Sequence, residues 1–178
     1  PEENRLYFSS NRNGSLGASD IWYVDILGNG NYGQPVNLGS KINTKQRESF
    51  PFISKTGDLY FASDGHTGLG GLDIFVVSLN ETGPYPTVTN LKKPINSNLD
   101  DFGYVMDETG KIGYISSNRF GGQGSSSDDI LAFTADCKIT IHGMVTDAKT
   151  GAPLQGSDVV LLDSSSKVVA QKVVDANG

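Results

Sequence analysis

The amino-acid sequence predicts an all-β chain: part of a β-propeller, about three blades, followed by part of a β-sandwich. Three observations carry this expectation. Glycine is abundant, at 22 of 178 residues, and apolar residues fall in short alternating runs between turn residues, as in chains of many short strands. One stretch occurs three times: "LYFSSNRNGSLGASDIWYVD" from Leu6, "LYFASDGHTGLGGLDIFVVS" from Leu59 and, more loosely, "GYISSNRFGGQGSSSDDILAF" from Gly113. Four strand-like runs fit into each period of roughly 50 residues, which is the size and content of a propeller blade.

The period is read from matched residues. Tyr7, Tyr60 and Tyr114 stand 53 and 54 residues apart, and Ile21, Ile74 and Ile130 stand 53 and 56 apart. The connecting segments repeat as well, "VNLGSKINT" from Val36 answering "TNLKKPINS" from Thr89. Each leads into an aromatic strand opening, "SFPFIS" at Ser49 and "DFGYVM" at Asp101, and then a turn at Lys55-Thr56-Gly57 or Glu108-Thr109-Gly110.

Within "LYFAS", Leu59 and Phe61 share one face of a strand and Tyr60 lies on the other. Both faces are therefore apolar, as a sheet packed between two neighbours requires. The loop after each such strand is rich in glycine (Gly14, Gly17, Gly68, Gly70, Gly121, Gly122, Gly124), from which positive φ angles are expected. The aspartate opening the next strand (Asp20, Asp73 or Asp129) is placed to accept backbone N–H groups of that loop. Repeats one and three carry Asn11-Arg12 and Asn118-Arg119, where repeat two has Asp64-Gly65. An arginine paired with an aspartate of its own or the next sheet would thus be missing from repeat two. Asn11, Arg12, Asp20, Asp64, Asp73, Asn118, Arg119 and Asp129 are the expected structural repeat motif, and a catalytic or ligand role shared by all three loops is not expected.

The last part, residues 138–178, reads as the beginning of a sandwich. "KITIHGMVTD" alternates, with Ile139, Ile141, Gly143 and Val145 on one side; "DAKTG" is a turn, "DVVLLD" a strand, "SSSK" a turn and "VVAQKVV" a strand. Domains are expected at residues 1–135 and 138–178, joined by a short linker around Thr134 to Lys138. Three strands leave a sandwich with open edges, and three blades do not close a ring of the usual four to eight. A chain that opens on "PEENRLYF" and stops at a turn signal, "DANG", is expected to be a piece of a longer polypeptide.

Charge and cysteine content limit the function classes. The net charge is −6 and the pI about 4.8, with about −5 over residues 1–135 and −1 over the rest. A nucleic-acid surface would need clustered Lys and Arg, so nucleic acid is not an expected partner. The single Cys137 has no internal disulfide partner, and no apolar run is long enough for a membrane span.

Candidate chemistry is sparse. Ser63, Asp64 and His66 are too close in sequence for a catalytic triad, which is assembled from separate elements, so His66 is expected to be a solvent-facing loop residue. His142 is placed on the polar face of a strand, and two isolated histidines with one cysteine give no zinc spacing. Asp100-Asp101 and Asp128-Asp129 raise calcium, but no Asp-x-Asp-x-Asp-Gly loop is present. Lys92-Lys93 reads as a solvated turn, and the sequons at Asn13 and Asn80 read as turn residues. No catalytic residue, cofactor site or metal site is expected.

The string from Gly113, following "INSNLDDFGYVMDETG", resembles the WD40-like repeats of TolB-type propellers, most of all those in OmpA-family envelope proteins of Bacteroidota-type bacteria. The segment after it resembles a carboxypeptidase regulatory-like domain, through Gly143, Val145, Asp147, Thr150-Gly151, Pro153-Leu154 and Asp175-Ala176-Asn177-Gly178. That order of modules is similar to multidomain envelope proteins, one of them associated with type IX secretion. The resemblance implies a non-catalytic scaffold in the periplasm, associated with the outer membrane. Its propeller would bind other envelope or secretion-system proteins, and peptidoglycan would be bound by a domain outside this chain. Two other readings stand beside it: a periplasmic glycan-binding or glycan-processing propeller, and a TolB-like accessory protein.

Overall fold

The computed structural model describes residues 4–80, 87–120, 128–135 and 143–176. Contacts divide the chain into two compact units, Pro1–Asp136 and Cys137–Gly178. Among the described residues all regular structure is strand, and no helix is long and apolar enough to cross a membrane.

The first unit holds three antiparallel sheets in succession. Sheet one contains β1 (Arg5–Ser10), β2 (Asp20–Gly28), β3 (Asn31–Tyr32) and β4 (Val36–Asn37). Sheet two runs in chain order through β5 (Glu48–Ile53), β6 (Asp58–Ser63), β7 (Asp73–Ser78) and β8 (Thr89–Asn90). Sheet three has β9 (Asp101–Met106), β10 (Ile112–Ser117) and β11 (Asp129–Thr134). The three matched hairpins share one register: Tyr7 opposite Tyr23, Tyr60 opposite Val76, and Tyr114 opposite Ala132. The entering strands also match, since β5 bulges at Phe50 (φ 54°) and β9 at Gly103 (φ 64°), and the Phe50 and Phe102 rings lie 5.0 Å apart.

Both faces of sheet two are buried, as the alternation in "LYFAS" requires. Leu59, Phe61, Phe75 and Val77 pack on Ile21 and Ile42. On the opposite face Ile74, Tyr60 and Phe52 pack with Tyr104 and Ile115 of sheet three. Each such side chain contributes about 1.5–3 kcal/mol when fully buried. The series stops at sheet three, whose outward face carries Val105, Ile112, Tyr114 and Ile130, all exposed. Ile21 and Ile74 are 0% exposed, whereas Ile130 at the same register position is 77% exposed.

The glycine-rich loops differ from expectation in their reason for glycine. Gly14 does have positive φ (97°), but Gly17, Gly68 and Gly70 do not. Glycine is required there by close approach: a Cβ on Gly17 would lie 2.5 Å from the carbonyl oxygens of Thr44 and Gln46, one on Gly70 would strike the Leu99 carbonyl, and one on Gly68 the Asp73 carboxylate. The first two loops lie on the segment entering the next sheet, where Ala18 N–H donates to Gln46 O (2.9 Å) and Gly71 N–H to Leu99 O (3.3 Å). Gly121, Gly122 and Gly124 lie outside the described residues.

The second unit contains the hairpin of β12 (Asp158–Leu162) and β13 (Val168–Val173), closed by a turn at Asp163–Lys167. The turn read at "DAKTG" is formed, with Asp147 Oδ1 accepting the N–H groups of Lys149 and Thr150. The strand expected over "KITIHGMVTD" is only partly described, since Cys137, Ile139, Ile141 and His142 lie outside the described residues. Its described end is a correction: Gly143, Met144 and Val145 are irregular, and Thr146 makes an isolated bridge to Pro153. Among the described residues that end pairs with the return of its own turn, through Leu154 N–H to Val145 O and Asp147 N–H to Ala152 O.

Candidate functional site

The polar residues of the repeats converge on the seams between sheets. Asp20 is buried and accepts the N–H groups of Leu16 (2.8 Å) and Gly17 (3.1 Å); Asp73 is buried and accepts those of Leu69 (2.6 Å) and Gly70 (3.0 Å). These aspartates pin their loops as the sequence predicts. Asn37 Nδ2 adds a bond to Asp20 at 2.6 Å, while the equivalent Asn90 Nδ2 and Asp73 Oδ1 are buried without a partner among the described residues. Asp129 is exposed, and the loop before it, residues 121–127, lies outside the described residues.

A second device was present in the repeated "NLxxxIN" but its role is not readable from spacing. Asn43, fully buried, accepts Ile21 N–H at 2.7 Å and donates to Ile21 O at 3.0 Å. Asn96 does the same to Ile74, at 2.8 Å for both bonds. The side-chain amide thus supplies the acceptor for the Ile21 or Ile74 N–H, while the carbonyl of each is shared with the N–H of Leu38 (3.2 Å) or Leu91 (3.1 Å) just past β4 or β8. Each amide also donates to the asparagine at the head of its own segment, Asn43 to Asn37 and Asn96 to Asn90, at 2.9 Å. The signal in the sequence was the matched pair of asparagines six residues apart, at Asn37/Asn43 and Asn90/Asn96.

The third device is the donor that reaches across the seam. Arg119 donates to the carbonyls of Pro94 (2.9 Å) and Ile95 and to the fully buried carboxylate of Asp101. The expected arginine–aspartate pair therefore exists in repeat three, within its own sheet. Repeat one differs, because Arg12 stacks over Phe8 and Trp22 and pairs with no aspartate among the described residues. Repeat two replaces the pair. Glu48, the equivalent of Asp101, is satisfied by Thr44 N–H and hydroxyl (2.7 Å each) and Ser63 Oγ (2.8 Å), and Asp64 instead accepts Arg47 at 2.8 Å. In repeat three the positions of Arg47 and Asp64 are held by Asp100 and Asn118, which bond each other through Asp100 N–H at 2.9 Å. Asn11 is exposed.

His66 corrects the expectation of a solvent-facing loop residue. Its ring is half-buried against Phe61 and Phe75, at centroid distances of 5.8 and 5.1 Å, and Nε2 contacts Ile42 O at 2.8 Å. Ile42 is the match of Ile95, so His66 does in repeat two part of what Arg119 does in repeat three. Ser63 donates to Glu48 and not to His66, so the three loop residues form no triad.

The remaining candidates are also structural in their contacts. Asp101 is held by Arg119 and by Ser97 N–H and hydroxyl, and Asp100 accepts Leu72 N–H at 2.8 Å. Among the described residues no three His, Cys, Asp or Glu side chains gather as a metal would require. Lys92 and Lys93 border an open groove of about 390 Å³ with Thr67, Gly68, Leu69 and Asn90, a lining without a carboxylate, cysteine or histidine.

Electrostatics follow the same division. Tyr60 and Tyr104 stack across the second seam, ring centroids 4.3 Å apart at 11°. Burial raises both phenol pKa values, Asp58 adding to the effect at Tyr60 and Tyr60 itself at Tyr104. Turn aspartates move the other way. Asp107 is lowered by the Thr109 hydroxyl and the N–H groups of Lys111 and Ile112, Asp147 by the Thr150 N–H and hydroxyl, and Asp163 by the Ser165 hydroxyl and Lys167 N–H. No family profile, curated protein or solved structure matches this chain.

Proposed function

We propose that this chain is part of a non-catalytic scaffold of the bacterial cell envelope. The three sheets are read as consecutive WD40-like blades of a TolB-type propeller, and the second unit as the first part of a carboxypeptidase regulatory-like sandwich. The observation that carries the reading is the use made of the polar loop residues. Asp20, Asp73, Glu48, Asp101, Asn43, Asn96 and Arg119 bind backbone or one another, in arrangements repeated at about 53 residues. A surface built in that way is rigid, and rigid presentation of one face suits protein–protein binding. The sequence resemblance supplies the setting: an OmpA-family protein of the periplasm, associated with the outer membrane, supporting envelope or secretion-system partners such as those of type IX secretion. Peptidoglycan is held by a domain outside these residues.

The test is fractionation of the source cells with an antibody raised against this chain. The reading expects a polypeptide several times larger than 19.0 kDa, in the outer-membrane fraction, sedimenting with purified cell wall. A cytoplasmic protein, or one that hydrolyses or binds glycans through the purified chain alone, overturns it.

A further inference from the structure

Three side chains play matching parts in the three repeats, Arg12 and Arg119 at the same sequence position and His66 one residue after the matching Gly65. Arg119 is anchored by its N–H and Nε to Ser117 Oγ (3.2 and 3.0 Å), and its terminal nitrogens reach Pro94 O, Ile95 O and Asp101. Arg12 is anchored identically, N–H and Nε to Ser10 Oγ (3.2 and 3.3 Å), with its guanidinium over Phe8 (4.8 Å) and Trp22 (5.5 Å). His66 lies on the matching pair, Phe61 and Phe75, and reaches Ile42 O.

Between the two arginines only the acceptors differ. In sheets two and three the donor meets an Ile-Asn segment (Ile42-Asn43, Ile95-Asn96). An acidic residue, Glu48 or Asp101, follows six residues after the isoleucine and opens the strand beside β6 or β10. Among the described residues nothing stands at that place beside β1, which is the outermost strand of its sheet. The same wall carries a second unused donor: the Trp22 indole N–H is buried without an acceptor, in a side chain only 7% exposed.

We propose that Arg12 and the Phe8–Trp22 wall form a docking socket for an extended segment with one placed carboxylate, supplied from beyond these 178 residues. The segment carries isoleucine-asparagine with Asp or Glu six positions after the isoleucine. Arg12 takes two backbone carbonyls and the carboxylate, as Arg119 does, and the segment continues as a strand along β1. The inference stands on the comparison of the three repeats and does not depend on the cellular role proposed above.

Trp22 is the only tryptophan, so its emission reports the socket directly. The probe is a synthetic peptide of residues Asn90–Phe102, titrated into the intact chain. A saturable change in Trp22 emission is expected, weakened at least about tenfold by Arg12→Gln and equally by a peptide carrying Asp101→Asn, with Arg12→Lys intermediate. The peptide variant leaves the protein untouched, so the result does not hang on the folding of a mutant. No saturable change, or equal affinity for the charged and neutral peptides, overturns the proposal. So does concentration-dependent Trp22 emission without peptide accompanied by a dimer in sedimentation, which would assign the socket to a second copy of the chain.

Discussion

Asn96 bonds both backbone polar groups of Ile74, its Oδ1 2.8 Å from the Ile74 nitrogen and its Nδ2 2.8 Å from the Ile74 oxygen. The pair joins the segment after sheet two to β7 at a place where both residues are sealed from water. Asn96→Leu keeps the volume but orphans the Ile74 N–H, at a cost of about 1–3 kcal/mol, while the Ile74 carbonyl keeps the Leu91 N–H at 3.1 Å. Asn96→Asp keeps the acceptor and sets a carboxylate against the Ile74 carbonyl. Chemical denaturation should show both variants strongly destabilised, and Asn96→Asp should recover partly as the pH falls and the carboxyl is protonated. Stability within 0.5 kcal/mol of the parent (a typical surface-substitution effect, about that size) would show the clamp to be incidental.

Arg119 and Arg47 each pair with an aspartate, but in different surroundings. The Asp101 side chain is 0% exposed and that of Arg119 17%, whereas Arg47 is 54% exposed. Arg119→Met leaves a buried carboxylate without its counter-charge and is expected to cost about 3–5 kcal/mol. Arg47→Met is expected to cost less than about 1 kcal/mol. Urea unfolding of the two variants side by side decides this, and equal losses would contradict the assignment.

Gly70→Ala tests close approach against backbone freedom. The new methyl would meet the Leu99 carbonyl, which belongs to the strand entry of sheet three and cannot move alone. A loss of about 1–3 kcal/mol is expected, of the size of overpacking. Hydrogen exchange should quicken at Gly71 and Asp101, whose N–H groups bond across that seam. Because φ at Gly70 is not in the left-handed region, a D-alanine placed there would gain nothing over L-alanine if packing alone decides.

The stacked Tyr60 and Tyr104 give a pH dependence with a definite sign. Their folded-state pKa values are raised, chiefly by burial, so the unfolded chain loses these protons first. The stability they contribute is complete below the ordinary phenol value of about 10 and is lost as the pH rises above it. Difference absorbance at the phenolate band should show two of the seven tyrosines titrating late. Tyr104→Phe should remove one late phenol and flatten the alkaline loss of stability.

The repeats, their hairpins and the aspartates that close the loops were legible from the sequence, because alternation and turn chemistry act within a few residues. "LYFAS" announces a strand with two apolar faces, and Asp20 and Asp73 sit four residues from the N–H groups they accept. His66 was misread because the nearest polar residues in sequence are Ser63 and Asp64, while its contact is Ile42, 24 residues away. The glycines were legible as necessary, but their reason was not, since the carbonyls that crowd Gly17 and Gly70 come from the next segment.

By itself the sequence determined which residues are strand, where the chain turns and that the unit recurs, since those choices follow from side-chain period and local backbone preference. Tertiary structure decided which polar groups meet. Asn43 and Asn96 find Ile21 and Ile74 at 22 residues' separation, Arg119 finds Ile95, and Arg12 rests on aromatic rings with its terminal nitrogens turned to no acceptor among the described residues. A buried hydrogen bond depends on the register of two sheets against each other, and that register is set only when their apolar faces close.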